Sequence, residues 1–208
     1  MTAQAEALRA LALRLLPKGY GVAVLPMAMP TPVLLAAEHE VVARAVPNRR
    51  HEFAVGRLSL RLALAEAGQP LDPDRPILPD ADRRPDLPLA RPASLSHAGR
   101  FCIAVASPLG GPSIGVDLEP EDTEPIPGLG QMISPCRMLP QMDPLLGFCV
   151  KEAMYKAQFP VTRRMLDFAD VPVVIRDRRA KGCLGRRLIA ARWGRAAGHY
   201  LAISLWRG

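Results

Sequence analysis

The hexapeptide Ile114-Gly115-Val116-Asp117-Leu118-Glu119 constrains this chain more than any other stretch. Ile114, Val116 and Leu118 alternate with Gly115, Asp117 and Glu119, the period of two of a β-strand. Residues two apart point to the same side, so Asp117 and Glu119 project together. Two adjacent carboxylates repel unless something positive stands between them. A hard cation does this well: Mg²⁺ takes one or two carboxylates, keeps waters and fills its shell with phosphate oxygens. The alternative is a solvated acidic strand end facing Lys or Arg, and the motif alone leaves both readings open.

The rest of the chain narrows the setting. With 208 residues, 49% of them hydrophobic, it can build one sizeable domain or two small ones sharing a core. A charged fraction of 23% and slightly positive mean hydropathy exclude a disordered chain. The net charge of +7 and pI near 9.7 point to anionic partners: nucleic acid, phosphorylated small molecules or acidic proteins. Cys102, Cys136, Cys149 and Cys183 form no C-x-x-C pair and read as free thiols in a reducing compartment. The longest uncharged run, 19–37, is interrupted by Pro26, Pro30 and Pro32 and is a poor membrane span. No secretory signal is evident, so a cytoplasmic protein is expected.

In chain order, 3–16 reads as an amphipathic helix and 21–25 as a strand. Residues 37–67 read as one or two helices broken near Pro47-Asn48 and stopped by Gly68. Gly56 within this helical pattern points to close packing, and Arg57 beside it is suited to a bidentate phosphate contact or to plain solvation. Residues 69–93 lack a period and form a loop carrying Arg83 and Arg84. The Ser94-Leu95-Ser96-His97 run precedes an apolar strand, 101–106. Gly110-Gly111-Pro112 then reads as a turn into the Asp117 strand, so 101–119 is expected to be a hairpin. Residues 121–144 read as a Pro-rich loop with a helical turn near 132–139. A helix over 145–159 places Glu152 and Lys156 on one face. Strands follow at 171–175, 185–193 and 199–206. Arg186, Arg187, Arg192 and Arg195 read as a solvated basic face on the last two, with a carrier or nucleic-acid contact as the alternative. No internal repeat is evident.

Five pieces then stand in order: Arg49-x-x-Glu52-Phe53-x-x-Gly56-Arg57, Ser94-x-Ser96-His97, Ile114–Glu119, Phe148-x-x-Lys151-Glu152-Ala153-x-Tyr155-Lys156-Ala157, and Leu166-x-Phe168-x-Asp170-Val171. Together they resemble the Sfp-type 4′-phosphopantetheinyl transferases, closest to the branch associated with enterobactin synthesis (EntD-like). The resemblance runs from about residue 38 to 175. It implies an α+β fold of two similar halves, each a small antiparallel sheet with a packed helix, related by a pseudo-twofold axis. The halves would be residues 1–116 and 117–208, one integrated catalytic unit with coenzyme A in the cleft.

The resemblance also implies the chemistry: transfer of the phosphopantetheine arm of coenzyme A to a serine of an apo carrier protein, with Mg²⁺ or Mn²⁺, releasing adenosine 3′,5′-bisphosphate. Asp117, Glu119 and Glu152 would be the metal ligands. Glu152, Lys156 and Asp117 would be catalytic, Glu152 being the candidate base. Arg49, Arg57, Arg83, Arg84, Pro85, Ser96, His97, Lys151 and Lys156 would contact coenzyme A. The implied partners are coenzyme A and acidic carrier proteins or carrier domains of siderophore, polyketide or peptide synthesis. The protein would act as a monomer, without nucleic acid or membrane insertion. The sequence departs from the family at Leu87-Pro88, Ala93, Cys149 and Cys136-Arg137, which bears on the loop that meets the carrier. Two other classes fit the residues alone: another Mg²⁺-dependent nucleotide phosphohydrolase, and a basic nucleic-acid-binding module, which the scarcity of aromatics disfavours.

Overall fold

The computed structural model describes residues 2–88 and 91–208. It opens with α1 (Ala3–Leu15), capped by the Thr2 hydroxyl, which accepts from the Ala5 N–H at 3.2 Å. The first half then runs β1 (Gly21–Pro26), α2 (Ala36–Val42), α3 (Pro47–Glu66), β2 (Ala93–Ala98) and β3 (Phe101–Ala106). Pro47 at the first turn of α3 has the φ a helix start needs, and Gly68 at φ +75° lets the chain leave its end. The second half runs β4 (Ser113–Pro120), α4 (Leu129–Met132), β5 (Cys136–Arg137), α5 (Pro144–Thr162), a 3₁₀ turn at Phe168–Asp170, then β6 (Val173–Arg176), β7 (Arg179–Leu184), β8 (Arg187–Ala196) and β9 (His199–Trp206).

The architecture is α+β, as the sequence leads one to expect. One sheet has the order β1-β3-β2 and is antiparallel throughout. The other has the order β4-β9-β8-β7-β6-β5, antiparallel except for the short β5–β6 pair. The two sheets share a topology. In each, the first strand leads to a long helix, and the last strand returns antiparallel between the first strand and the penultimate one. In each, a glycine on the first strand lets the helix come close. A Cβ on Gly21 would sit 1.8 Å from Ala63 O of α3, and one on Gly115 would sit 2.0 Å from Ala153 O of α5.

This equivalence exposes a repeat that the sequence reading missed. Gly21-Val22-Ala23-Val24-Leu25-Pro26 corresponds to Gly115-Val116-Asp117-Leu118-Glu119-Pro120. Ala23 and Leu25 stand where the second half has Asp117 and Glu119, so the two carboxylates are what distinguishes the halves. A six-residue match separated by more than ninety positions carries little signal until the topology aligns it.

The expected hairpin over 101–119 does not form. β3 pairs with β1 and β2, whereas β4 pairs with β9 in the other sheet. The reason is legible in burial: all six β3 residues are buried, the mark of a central strand, and such a strand is already paired on both edges. The hairpin is instead β2–β3, closed by Gly99-Arg100 with Gly99 at φ +53°. In the loop-rich middle, the helical turn falls at Leu129–Met132, earlier than expected, and β5 occupies part of 132–139. β7 was not anticipated, because Arg179, Lys181 and Gly182 mask its alternation.

The halves share one apolar cluster. Leu8, Leu11 and Leu15 of α1 pack on Val22 and Val24 of β1, Ile103 and Val105 of β3, and Ile114, Val116, Leu118, Leu201 and Ile203 of the second sheet. On the other face of the second sheet, Leu146, Val150, Ala153 and Met154 of α5 cover Val173, Ile175, Ala180, Ile189 and Ala191. The whole of β4 lies in the second sheet, and its free edge runs along β2. There the Val116 N–H donates to Ser94 Oγ at 3.1 Å. This seam positions the candidate site.

Candidate active site

Asp117, Glu119 and Gly115 share the side of β4 that meets α5. Because Gly115 has no side chain, α5 approaches the strand closely and brings Glu152 and Lys156 to the carboxylates. Lys156 Nζ donates to Asp117 Oδ1 at 2.6 Å, and from β2 the Ser96 hydroxyl donates to the same oxygen at 3.0 Å. Asp117 is 3% exposed, and its Oδ2 is buried without a hydrogen-bond partner among the described residues. Cys149, one turn before Ala153 on α5, directs its thiol at the Asp117 carbonyl at 3.4 Å. Three elements from both halves therefore converge on one aspartate.

The neighbouring carboxyls feel this crowding. Burial, and then the charge of Asp117, push Glu119 up to about 7; Glu152 adds to the rise and Lys156 opposes it. Glu152 is also raised, by burial and by Asp117, against the opposing pull of Lys156. Such shifts mark carboxyls held partly out of water beside another negative charge, with Lys156 opposing the rise. Among the described residues, no three His, Cys, Asp or Glu groups are arranged to hold a metal ion by themselves. The donor set nevertheless fits a hard divalent cation: all oxygen, an orphaned buried Oδ2 on Asp117, and two further carboxyls whose charge a cation would favour. Water and phosphate oxygens would have to complete its shell.

The expected anion contacts divide into groups. His97 of β2 lies 4.0 Å from Glu52 of α3, and Glu52 pairs with Arg49 at 3.1 Å. Arg57 is 7% exposed. Its Nε donates to Ile77 O at 2.6 Å, and its guanidinium stacks 4.0 Å over the Phe53 ring. Burial lowers its pKa to about 10, with Glu38 opposing and Arg49 and Arg61 adding. Arg83 is exposed at φ 63° in a turn closed by the Pro79–Pro85 bridge. Arg84 pairs with Asp80 and lies 5.5 Å over the Phe159 ring of α5. Arg163, just past α5, bonds Asp82 at 2.9 Å and so ties this turn to the second half.

Lys151 is placed apart from the carboxylates. It is 3% exposed, its ammonium donates to Phe168 O at 2.6 Å, and burial lowers its pKa, with Cys136 opposing. It lines the floor of a cavity of about 310 Å³ with Glu152, Tyr155, Met165, Phe168 and Leu184. This cavity, largely apolar, opens beside Glu152, and sequence reasoning gave no sign of it: its walls come from α5, the loop after it and β7–β8.

Residues 37–107 match the family described as the 4′-phosphopantetheinyl transferase N-terminal domain. The chain is 36% identical over 149 residues to 4′-phosphopantetheinyl transferase PptT of Mycobacterium tuberculosis, a match covering 67% of this chain and 64% of that protein. It is 35% identical over 148 residues to the transferase Npt of Nocardia iowensis (66% and 64% covered). It is 34% identical over 158 residues to the transferase Svp of Streptomyces mobaraensis (70% and 63% covered). The chain is thus similar to 4′-phosphopantetheinyl transferases over most of its length. It spans just under two thirds of the length of these relatives, and the matches do not distinguish the enterobactin-associated branch within the superfamily.

One departure from the family pattern now has a structural reading. Cys149 stands where the resemblance leads one to expect Ser, and its thiol donates to the Asp117 carbonyl of β4 at 3.4 Å. A further supporting residue was missed by sequence reasoning. Glu38, 2% exposed, accepts from Arg61 at 2.7 Å and from the Ile77 N–H at 2.8 Å. It thereby pins the segment whose Ile77 carbonyl holds Arg57. A buried carboxylate must find such partners, but nothing in the local sequence names them.

Proposed function

We propose that this chain transfers the 4′-phosphopantetheine arm of coenzyme A to a serine of an apo carrier protein and releases adenosine 3′,5′-bisphosphate. The observation that carries this reading is the convergence of Asp117, Glu119, Glu152 and Lys156 at the seam between halves, in a chain with this similarity. The serine oxygen attacks the β-phosphorus of the pyrophosphate, the bond to the bridging oxygen breaks, and the serine proton passes to a base. Asp117, Glu119 and Glu152 would hold Mg²⁺ or Mn²⁺, which when bound neutralises charge on the pyrophosphate oxygens.

The chain's own groups do the rest. Lys156 adds positive charge where the bisphosphate leaves. Glu152, its proton affinity raised by its neighbours, is the candidate acceptor of the serine proton. Arg49, Arg57, Arg83, Arg84, Pro85, Ser96 and His97, all from the first half, are assigned to the nucleotide phosphates and adenine. The apolar cavity beside Glu152 is of a size and character to take the pantetheine arm. The halves, which divide between β3 and β4 rather than within β4 at residue 116, act as one catalytic unit and a monomer, on carriers of secondary metabolism such as siderophore or polyketide synthesis. The free cysteines support a reducing, cytoplasmic setting. Among the described residues no helix is long and apolar enough to cross a membrane.

Intact-mass measurement of several apo carrier proteins, incubated with this protein, coenzyme A and Mg²⁺, tests the reading. A gain of one phosphopantetheine arm is expected, abolished by a chelator and by Asp117→Ala. Release of phosphate from coenzyme A without any carrier would favour a phosphohydrolase instead.

A further inference from the structure

Nine of the 27 Lys and Arg residues, but only one of the 20 Asp and Glu, fall within residues 173–208. The net charge of +7 therefore resides in this stretch, and the remainder of the chain is close to neutral. β6, β7 and β8 spread much of it over one surface. Val173, Ile175, Ala180, Ile189 and Ala191 turn inward to α5, so the alternate residues turn outward. Arg176, Arg179, Lys181 and Arg192 are exposed there, with Val174 (41% exposed) opposite Lys181 and Leu188 (69% exposed) one step beyond, opposite Cys183. Asp117 and Glu119 lie on the α5 side, so this basic surface faces away from the carboxylates.

The strand register makes the arrangement specific. Arg176 is directly opposite Arg179, and Arg179 is directly opposite Arg192. Three arginines thus stand side by side across three strands. Like charges directly opposite each other destabilise a sheet. Among the described residues none of Arg176, Arg179, Lys181 and Arg192 is in an ion pair. The fold keeps a repulsive row on an open surface.

α1 covers the same side of this sheet over β9 and the far end of β8, where Leu11 lies against Gly194. Beyond it the strip formed by β6, β7 and the start of β8 is uncovered. Strands spaced about 4.8 Å apart make this strip roughly 10–14 Å wide, and one helix with its side chains is about 10–12 Å across.

We propose that this strip docks one amphipathic helix of an acidic partner protein, laid beside α1. Its carboxylates would meet the arginine row and Lys181, and its aliphatic side chains would meet Val174 and Leu188. Arg suits this contact because its guanidinium forms paired hydrogen bonds with carboxylates. Protein fits better than nucleic acid because the exposed apolar groups are aliphatic. Trp193 packs inward, so no aromatic ring of these strands is offered to stack a base. A second copy of this chain would bring like charge against like. The inference does not depend on the proposed transfer reaction.

The test uses the full chain and a fluorescein-labelled synthetic amphipathic helix with Glu along one face and Leu along the next, followed by anisotropy at low and moderate salt. Single-stranded DNA of similar length and phosphatidylserine vesicles serve as competing probes. The peptide is expected to bind, to weaken with salt, and to lose at least about tenfold in affinity when Arg176→Ser, Arg179→Ser and Arg192→Ser are combined. Leu188→Ser should weaken the peptide independently. The triple variant should unfold at a higher temperature than the parent, because the repulsion is gone, and should bind coenzyme A as the parent does. Absence of peptide binding, or peptide binding indifferent to the triple substitution, would overturn the proposal. Tighter binding of DNA or vesicles, lost in the triple variant, would overturn it in favour of nucleic acid or lipid.

Discussion

Lys156 Nζ lies 2.6 Å from Asp117 Oδ1, while Asp117 Oδ2 is buried with no partner among the described residues. One oxygen of the aspartate is thus committed to the lysine and to Ser96, and the other is the position proposed for a cation. Lys156→Met should leave Asp117 as a buried carboxylate short of positive charge, lowering stability by about 1–2 kcal/mol once the partial exposure of the lysine is allowed for. Mg²⁺ should then restore more thermal stability to the variant than to the parent, because it meets a larger unbalanced charge. Thermal unfolding with Mg²⁺ and with a chelator measures this. Equal Mg²⁺ shifts in the two proteins would remove Asp117 from the cation site.

Glu119 gives the pH dependence. Its ordinary value is 4.5 and the fold raises it to about 7, chiefly by burial and then by Asp117. Between those values the folded chain holds a proton that the unfolded chain has released. Stability contributed at low pH is therefore lost as pH rises from about 4.5 through about 7, and the loss levels off above that. For this half-exposed carboxyl the loss is on the order of 1 kcal/mol after allowing for solvent screening. Glu119→Gln should flatten this limb and be the more stable protein above pH 7. Mg²⁺ should flatten it in the parent by favouring the charged carboxylate. Denaturant unfolding across the pH range reads both effects, and a parent whose stability rises through this window would contradict the assignment.

Much of the site was legible in the sequence because it depends on local periodicity. Alternation over Ile114–Glu119 put Asp117 and Glu119 on one face, and helical spacing put Glu152 and Lys156 on another. What joins those faces was not legible. The contact between β2 and β4 that brings Ser96 to Asp117 is an edge-to-edge meeting of two sheets, which leaves no periodic trace. The expected hairpin over 101–119 came from a plausible Gly-Gly-Pro turn. The uninterrupted burial of β3, which rules that hairpin out, appears only once both neighbours are known. Arg57 reads from the sequence as a phosphate contact or a solvated side chain, because an Arg beside Gly in a helix gives no sign that it will be buried against a distant carbonyl, Ile77 O. The basic row across β6–β8 is likewise a matter of register, invisible while β7 goes unread.

The paired glycines make the pseudo-symmetry testable. A Cβ on Gly21 would meet Ala63 O at 1.8 Å, and a Cβ on Gly115 would meet Ala153 O at 2.0 Å, both rigid backbone atoms. Gly21→Ala and Gly115→Ala should each cost about 3 kcal/mol, at the upper end for overpacking. Their functional consequences should differ. Gly115→Ala shifts α5 against β4 and so moves Glu152 and Lys156 from Asp117, abolishing the stabilisation by Mg²⁺ even where the protein is folded. Gly21→Ala moves α3 against β1, whose corresponding positions are Ala23 and Leu25, and should leave the Mg²⁺ response intact. Mg²⁺ titrations followed by unfolding temperature, run well below both midpoints, separate the two. The same loss of Mg²⁺ response in both variants would mean that the halves do not differ in the way their carboxylates imply.

Arg57 and His97 separate structural from ligand-facing positive groups. Arg57 is held by its Nε bond to Ile77 O and by its stack on Phe53. Lysine reproduces neither the planar stack nor that donor. Arg57→Lys and Arg57→Ala should therefore both lower stability by about 1–3 kcal/mol, the cost of a buried charged hydrogen bond and a cation–π contact. Both should also weaken coenzyme A. His97 is only half-buried, and its contact with Glu52 is long, at 4.0 Å. His97→Ala should change stability by no more than about 0.5 kcal/mol while still weakening coenzyme A. Urea unfolding and calorimetric titration of coenzyme A, run on the same preparations, give the two readouts. If Arg57→Lys is as stable as the parent, the buried contacts are not what fixes this arginine. If His97→Ala leaves coenzyme A affinity unchanged, the β2 histidine does not face the nucleotide.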